Sequence, residues 1–184
     1  MGGEVVPVRI AVIVGSTREG RVGGSVAEWF VGVARRRDDV AVEVVDLLDF
    51  DFPARYPEVV TAEMNRFTAA VDRADGFVVV TPEYNRGVPA SLKQAIDYAY
   101  DEWHAKPVGF VSYGCRSRGF HAVAALRVVF TELHAHTVRD EVALDLMEDE
   151  PGPAQEPAAT RMLDQVVWWS EALRAARAAR PYVT

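Results

Sequence analysis

Five short apolar runs separated by longer amphipathic stretches place the strongest constraint on this chain. Residues 8–14 form a β-branched run that ends at Gly15. Residues 41–45, 76–80 and 108–111 follow, with a weaker fifth candidate around 137–142. Runs this short and this continuously apolar suit strands buried on both faces, as in a parallel sheet.

The intervening stretches carry apolar residues at helical spacing. Residues 22–37 align Val26, Trp29, Phe30 and Val33, and residues 62–73 align Met64, Phe67 and Val71. The stretch 89–103 opens with Pro89 in its first turn, stops before Pro107, and aligns Leu92, Ala95, Ile96 and Ala99. Residues 120–134 align Val123, Leu126, Phe130 and Leu133, and residues 158–179 align Met162, Val166, Trp169 and Leu173. Strict strand–helix alternation with right-handed crossovers puts helices on both faces of an open sheet. With 184 residues, the expectation is one domain over 1–184. It is a flavodoxin-like α/β three-layer sandwich with a five-stranded parallel sheet in the order 2-1-3-4-5. Ligands of such sheets bind outside the carboxyl ends of the strands, at the topological switch point.

Composition removes several classes of function. The net charge of −7 argues against nucleic-acid binding. No apolar run approaches the ~20 residues that span a bilayer. Met1-Gly2-Gly3-Glu4 lacks a signal-type start, so a cytoplasmic protein is expected. The single cysteine, Cys115, rules out an internal disulfide and a cysteine-cluster metal site. It reads as a small packing residue. His134 and His136 read as capping or partly buried groups, the Trp168-Trp169 pair as core and interface, and no metal is expected. Residues 149–157 read as an exposed loop.

The first strand end carries the sharpest motif, Gly15-Ser16-Thr17-Arg18-Glu19-Gly20-Arg21-Val22-Gly23-Gly24-Ser25. Small residues let backbone N–H groups approach an anion, and the following helix adds its positive end. Ser16, Thr17 and Ser25 supply hydroxyls, while Arg18 and Arg21 supply charge-assisted bonds to phosphate. The spacing imitates a P-loop, yet Arg21 replaces the lysine and Val22 the Ser or Thr that would hold Mg²⁺. Thr17 breaks the dinucleotide glycine fingerprint. Asp46, a lone acid at a strand end, reads as a loop or capping carboxylate rather than a ribose ligand.

Two further strand ends agree. The third continues as Thr81-Pro82-Glu83-Tyr84-Asn85-Arg86-Gly87-Val88-Pro89, where prolines stiffen the wall, Tyr84 can stack on a planar ring and Asn85 can read heteroatoms. The fourth continues as Ser112-Tyr113-Gly114-Cys115-Arg116-Ser117-Arg118-Gly119. Together the three loops hold five arginines against Glu19 and Glu83, a positive edge on an acidic chain.

At these motifs the chain resembles the NADPH-dependent FMN reductase family, a flavodoxin-like group that includes bacterial chromate, quinone and azo-dye reductases. The resemblance rests on Gly15 to Arg21, Thr81-Pro82-Glu83-Tyr84-Asn85, Pro89-Ala90-Ser91-Leu92-Lys93-Gln94-Ala95-Ile96-Asp97, Glu102-Trp103, Lys106-Pro107-Val108 and Val111-Ser112-Tyr113-Gly114. It covers about residues 8–135. It implies that Ser16, Arg18, Arg21, Val22 and Gly23 hold the FMN phosphate. It further implies that Pro82, Glu83, Tyr84 and Asn85 line the isoalloxazine ring, and that Ser112, Tyr113 and Gly114 close the site. It implies a homodimer or homotetramer, with exposed Tyr98, Tyr100 and Trp103 at an interface.

The implied reaction is hydride transfer from NADPH or NADH to FMN. Electrons then pass to a small-molecule acceptor such as a quinone or azo compound, or to a partner such as a flavin-dependent monooxygenase. The flavin carries the chemistry, so no catalytic side chain is expected. Competing readings on the same scaffold are a flavodoxin-type electron carrier and a non-catalytic flavin-binding module.

Overall fold

The computed structural model describes residues 6–183; the Met1–Glu4 segment discussed above lies outside them. The elements are β1 (Val8–Val14), α1 (Gly23–Ala34), β2 (Val40–Asp46), α2 (Ala62–Arg73), β3 (Gly76–Pro82), α3 (Ala90–Ile96), β4 (Pro107–Gly114), α4 (Phe120–Glu132), β5 (His136–Thr137), β6 (Val142–Asp145) and α5 (Glu156–Ala179). All strand pairings are parallel, in the order β2-β1-β3-β4, with β5 and β6 both on β4. The expected strand order and three-layer architecture are therefore present.

The fifth strand departs from the single run expected at 137–142. β5 pairs with Pro107 and Val108, and β6 pairs with Val111 to Gly114. The charged residues Arg139, Asp140 and Glu141 interrupt the line, and other groups satisfy this stretch. The Gln165 side-chain oxygen accepts from the Arg139 and Asp140 amides, each at 3.1 Å. Arg127 donates to Val138 O at 2.7 Å and to Glu141 at 2.8 Å.

Alternating side chains send each strand into two cores. Ile10, Val12, Val14, Val78, Val80 and Val111 pack under α1 and α5 with Phe30, Met162 and Val166. Ala11, Ile13, Phe77, Val79 and Phe110 pack under α2, α3 and α4 with Phe67, Leu92 and Phe130. With both faces covered, every residue of β3 is buried.

The stretch expected as one helix over 89–103 ends at Ile96, and Asp101–Trp103 is a separate 3-10 turn. Trp103 is the cause. It folds into the core against Phe77, Phe130 and Phe67, and its indole N–H is shared by the Ile96 and Ala99 carbonyls at 3.2 and 3.0 Å. A continuing helix would use those carbonyls itself. Trp103 and Tyr98 are therefore buried rather than exposed, and of the three aromatics only Tyr100 faces outward. Trp103→Ala should destabilise the fold by about 3–5 kcal/mol, read from urea denaturation.

The amino ends of the strands gather charge around a cavity of about 430 Å³ lined by Arg9, Asp75, His104, Lys106, Arg177 and Tyr182. Its cations have structural partners. Asp75 lies within 4 Å of Arg9, Arg174 and Arg177. Lys106 Nζ donates to Val71 O at 2.9 Å and Asp72 O at 2.8 Å, tying down the end of α2. Burial, aided by Arg177, pushes the Lys106 pKa down to about 8, with Asp72, Asp75 and Glu102 opposing. Unfolded, the lysine keeps its proton up to its ordinary value of 10.5; folded, it releases it from about 8. The unfolded state thus binds more protons across that window, so this residue makes stability rise with pH there, by up to about 3 kcal/mol. Denaturation midpoints of wild type and Lys106→Met measured from pH 7 to 10 should show the rise in wild type only.

Candidate functional site

The parallel register brings the carboxyl ends of β1, β3 and β4 side by side: Val14 lies opposite Val80, and Pro82 opposite Tyr113. The three motif-bearing loops therefore meet on one edge. In the first loop, the Gly15 amide donates to Val80 O and the Arg21 amide to Arg18 O, while the amides of Thr17 to Gly20 meet no acceptor among the described residues. Val22 is the exposed cap of α1, which has no side-chain cap and no acid in its first turn. Free amides beside a helix N-terminus are an anion-binding arrangement.

The two arginines of this loop have different places. Arg21 forms a two-pronged ion pair with Asp46, with Nη1–Oδ1 at 2.6 Å and Nη2 bonded to Oδ2, and Nη1 also donates to Ser16 O at 2.5 Å. This pairing holds the Arg21 pKa above its ordinary value. Asp46 also accepts from the Leu48 amide at 3.0 Å, so the acid caps the turn after β2. Arg21 thus braces the loop from within. Arg18 is exposed, and its guanidinium carbon sits 3.5 Å from the centre of the Tyr84 ring, a cation–π contact linking the first and third loops.

Asn85 and Arg86 both have positive φ, at 51° and 62°, between mutually bonded Tyr84 and Gly87. This is the pattern of a tight two-residue hairpin. It presents the half-buried Tyr84 ring and exposed Asn85 at the edge, with Pro82 buried behind them. Glu83 turns the other way. Its carboxylate accepts from Ser117 Oγ and from the His121 amide, both at 2.8 Å. It thereby caps α4, whose own cap residue is Gly119.

Gly119 is required twice over. Its φ is +87°, and a side chain there would lie 2.5 Å from Ser112 Cβ. Ser112 is buried, donating to Arg118 O at 2.7 Å, and Gly114 is half-buried. Cys115 is exposed, not the packing residue expected, in a turn where Arg116 and Arg118 both have positive φ. Asp145 anchors this loop by accepting from the Arg116 amide at 3.1 Å. Neither Asp145 nor the capping role of Glu83 was singled out from the sequence. The available signal was Gly119 itself, a helix start without a Ser, Thr, Asp or Asn to cap it.

Tyr113 does not border the open edge. It is buried and reaches under the first loop beside Ser16, which is also buried. Neither hydroxyl has a hydrogen-bond partner among the described residues. Both pack against the Gly23 Cα, where a side chain would collide with Ser16 Oγ and lie 2.5 Å from Tyr113 OH. Next to the loop, a cleft of about 210 Å³ is lined by Thr17, Leu47, Phe50, Phe52, Ser91 and Gln94. His134 lies away from this edge with Nδ1 3.0 Å from Tyr182 OH, and His136 packs on Trp169, where burial lowers its pKa.

Strand order and layering together define a flavodoxin-like protein of the doubly wound α/β class. A sequence model of the NADPH-dependent FMN reductases matches residues 8–149, and the chain belongs to that family. An NAD(P)H-dependent FMN reductase of Nectria sp is 38% identical over 120 residues, covering 58% of this chain and 59% of that protein. One from Schizosaccharomyces pombe is 36% identical over 135 residues, covering 65% and 68%. A quinone reductase of Pseudomonas putida is 34% identical over 137 residues, covering 67% and 71%. Among solved structures, the flavoenzyme NAD(P)H:(acceptor) oxidoreductase of Paracoccus denitrificans superposes with a TM-score of 0.77 at 20% identity, over 90% of this chain and 98% of that one.

Glu83→Ala removes two bonds to the start of α4. It should cost about 1–2 kcal/mol, measurable as a lowered urea midpoint of the flavin-free protein.

Proposed function

We propose that this chain binds FMN at the carboxyl edge of its sheet, takes reducing equivalents from NADPH or NADH and delivers them to a quinone-type acceptor. The observation that carries the reading is the first loop. Unpaired amides, a helix N-terminus without acids and two buried, unpartnered hydroxyls all await an anion. These residues fit the phosphate of FMN. Family membership and the quinone reductases among the relatives support the acceptor class.

In this reading the amides of residues 17–20 and the end of α1 receive the phosphate. Arg18 leaves the Tyr84 ring to pair with it. Arg21 and Asp46 keep the loop in shape. Tyr84, Asn85 and the backbone that follows Pro82 form the wall for the ring. Arg86, Arg116 and Arg118 keep the rim positive toward an anionic nucleotide. When bound, FMN supplies the two-electron chemistry, and the protein contributes orientation and exclusion of water.

A homodimer or homotetramer in the cytoplasm completes the proposal. Exposed Tyr56, Val59 and Tyr100 support a partner copy. No described helix is long and apolar enough to cross a membrane.

The test is anaerobic stopped-flow mixing of FMN-loaded protein with NADPH and, separately, NADH. Rapid bleaching of the flavin absorbance is expected, and the faster nucleotide identifies the donor. Tight FMN binding without bleaching would replace the reductase with an electron carrier.

A further inference from the structure

Ser16 and Tyr113 present an anomaly that ordinary packing does not explain. Buried hydroxyls are nearly always hydrogen-bonded, and one left unpaired destabilises the fold that holds it. Here two lie together without partners, one from the end of β1 and one from β4, at the first residue of α1. Both hydroxyls press against the Gly23 Cα, and only glycine fits there, because an added Cβ would collide with Ser16 Oγ and lie 2.5 Å from Tyr113 OH. Burial pushes the Tyr113 phenol up to about 12, with the adjacent Ser16 hydroxyl and Arg21 opposing the rise and Tyr84 and Asp46 adding to it. The phenol therefore keeps its proton at any working pH.

Arg21 has only donors to offer, and these are engaged by the Ser16 carbonyl and Asp46, so it supplies Tyr113 with no acceptor. Ser16 Oγ and Tyr113 OH share the contact with Gly23, and a Ser16 Oγ that accepts from Tyr113 has its own proton free for the helix end. We propose that Tyr113 is a positioning residue of the phosphate site: its hydroxyl donates to Ser16 Oγ and so directs the Ser16 proton to a phosphate monoester held at the start of α1. The two hydroxyls act in series, and Tyr113 need not touch the ligand. This inference rests on the FMN reading above and gives Tyr113 a place at the phosphate.

The experiment compares FMN with riboflavin, which differ only in the phosphate. Dissociation constants are measured by flavin fluorescence for wild type, Tyr113→Phe, Ser16→Ala and the double variant, and flavin-free proteins are melted in parallel. Tyr113→Phe should weaken FMN binding about tenfold and leave riboflavin binding within about twofold. Its flavin-free form should melt close to wild type, because phenylalanine keeps the ring packing and the hydroxyl it loses served only Ser16 Oγ. Because the groups act in series, the double variant should bind FMN no worse than Ser16→Ala alone. Equal losses for FMN and riboflavin, an unchanged FMN constant or additive losses in the double variant would each overturn the relay. Wild type that fails to bind FMN would overturn the flavin reading itself.

Discussion

The shared register of three buried parallel strands is the constraint on which the rest depends. β1, β3 and β4 carry apolar residues toward both faces, so neither face can tolerate water and helices must cover both. Parallel pairing then forces every strand to run the same way, and Val14, Val80 and Tyr113 end on one edge. A loop leaving that edge leads into a helix, so helix N-termini gather where the strands stop. The positive, amide-rich edge is thus a consequence of burying the sheet, and the loop residues only sharpen it.

What shapes those loops is carboxylate chemistry on an arginine-rich edge. Asp46 closes β2 and clamps Arg21; Glu83 closes β3 and caps α4; Asp145 closes β6 and holds the Arg116 amide. Each acid comes from the end of a different strand and fixes a loop belonging to another. The simple charge count along the loops therefore misleads in detail. Arg21 is neutralised at close range, whereas Arg18, Arg86, Arg116 and Arg118 stay exposed at the rim. The field felt by an approaching anion comes from the second group.

The strand order, the helix-strand alternation and the edge where the loops meet were all legible in the sequence, because hydrophobic period and strand length follow directly from burial on one face or two. Asp46 as a capping carboxylate was legible too. What was hidden depends on contacts between residues far apart in the chain. Nothing near Trp103 announces that its indole will claim the Ile96 and Ala99 carbonyls and end a helix early. The split of the fifth strand turns on Gln165, in a helix some 25 residues further on, satisfying two amides. Glu83 stands in a motif expected along the ring, and nothing in that motif announces that its carboxylate will bond to Ser117 and to the start of α4, where backbone N–H groups hold a negative charge well.

Tyr113 shows the same limit from the other side. On a strand, side chains alternate between the two layers, and the residue after Ser112 must enter the layer under α1. A tyrosine there carries its ring into an apolar core and its hydroxyl as far as the foot of the first loop. Phenylalanine would satisfy the core equally well and leave no unpaired hydroxyl. The hydroxyl therefore gains nothing from packing in the flavin-free protein, and the same holds for Ser16 beside it. Under the relay proposed above, these two polar groups serve the state in which a phosphate stands at the end of α1.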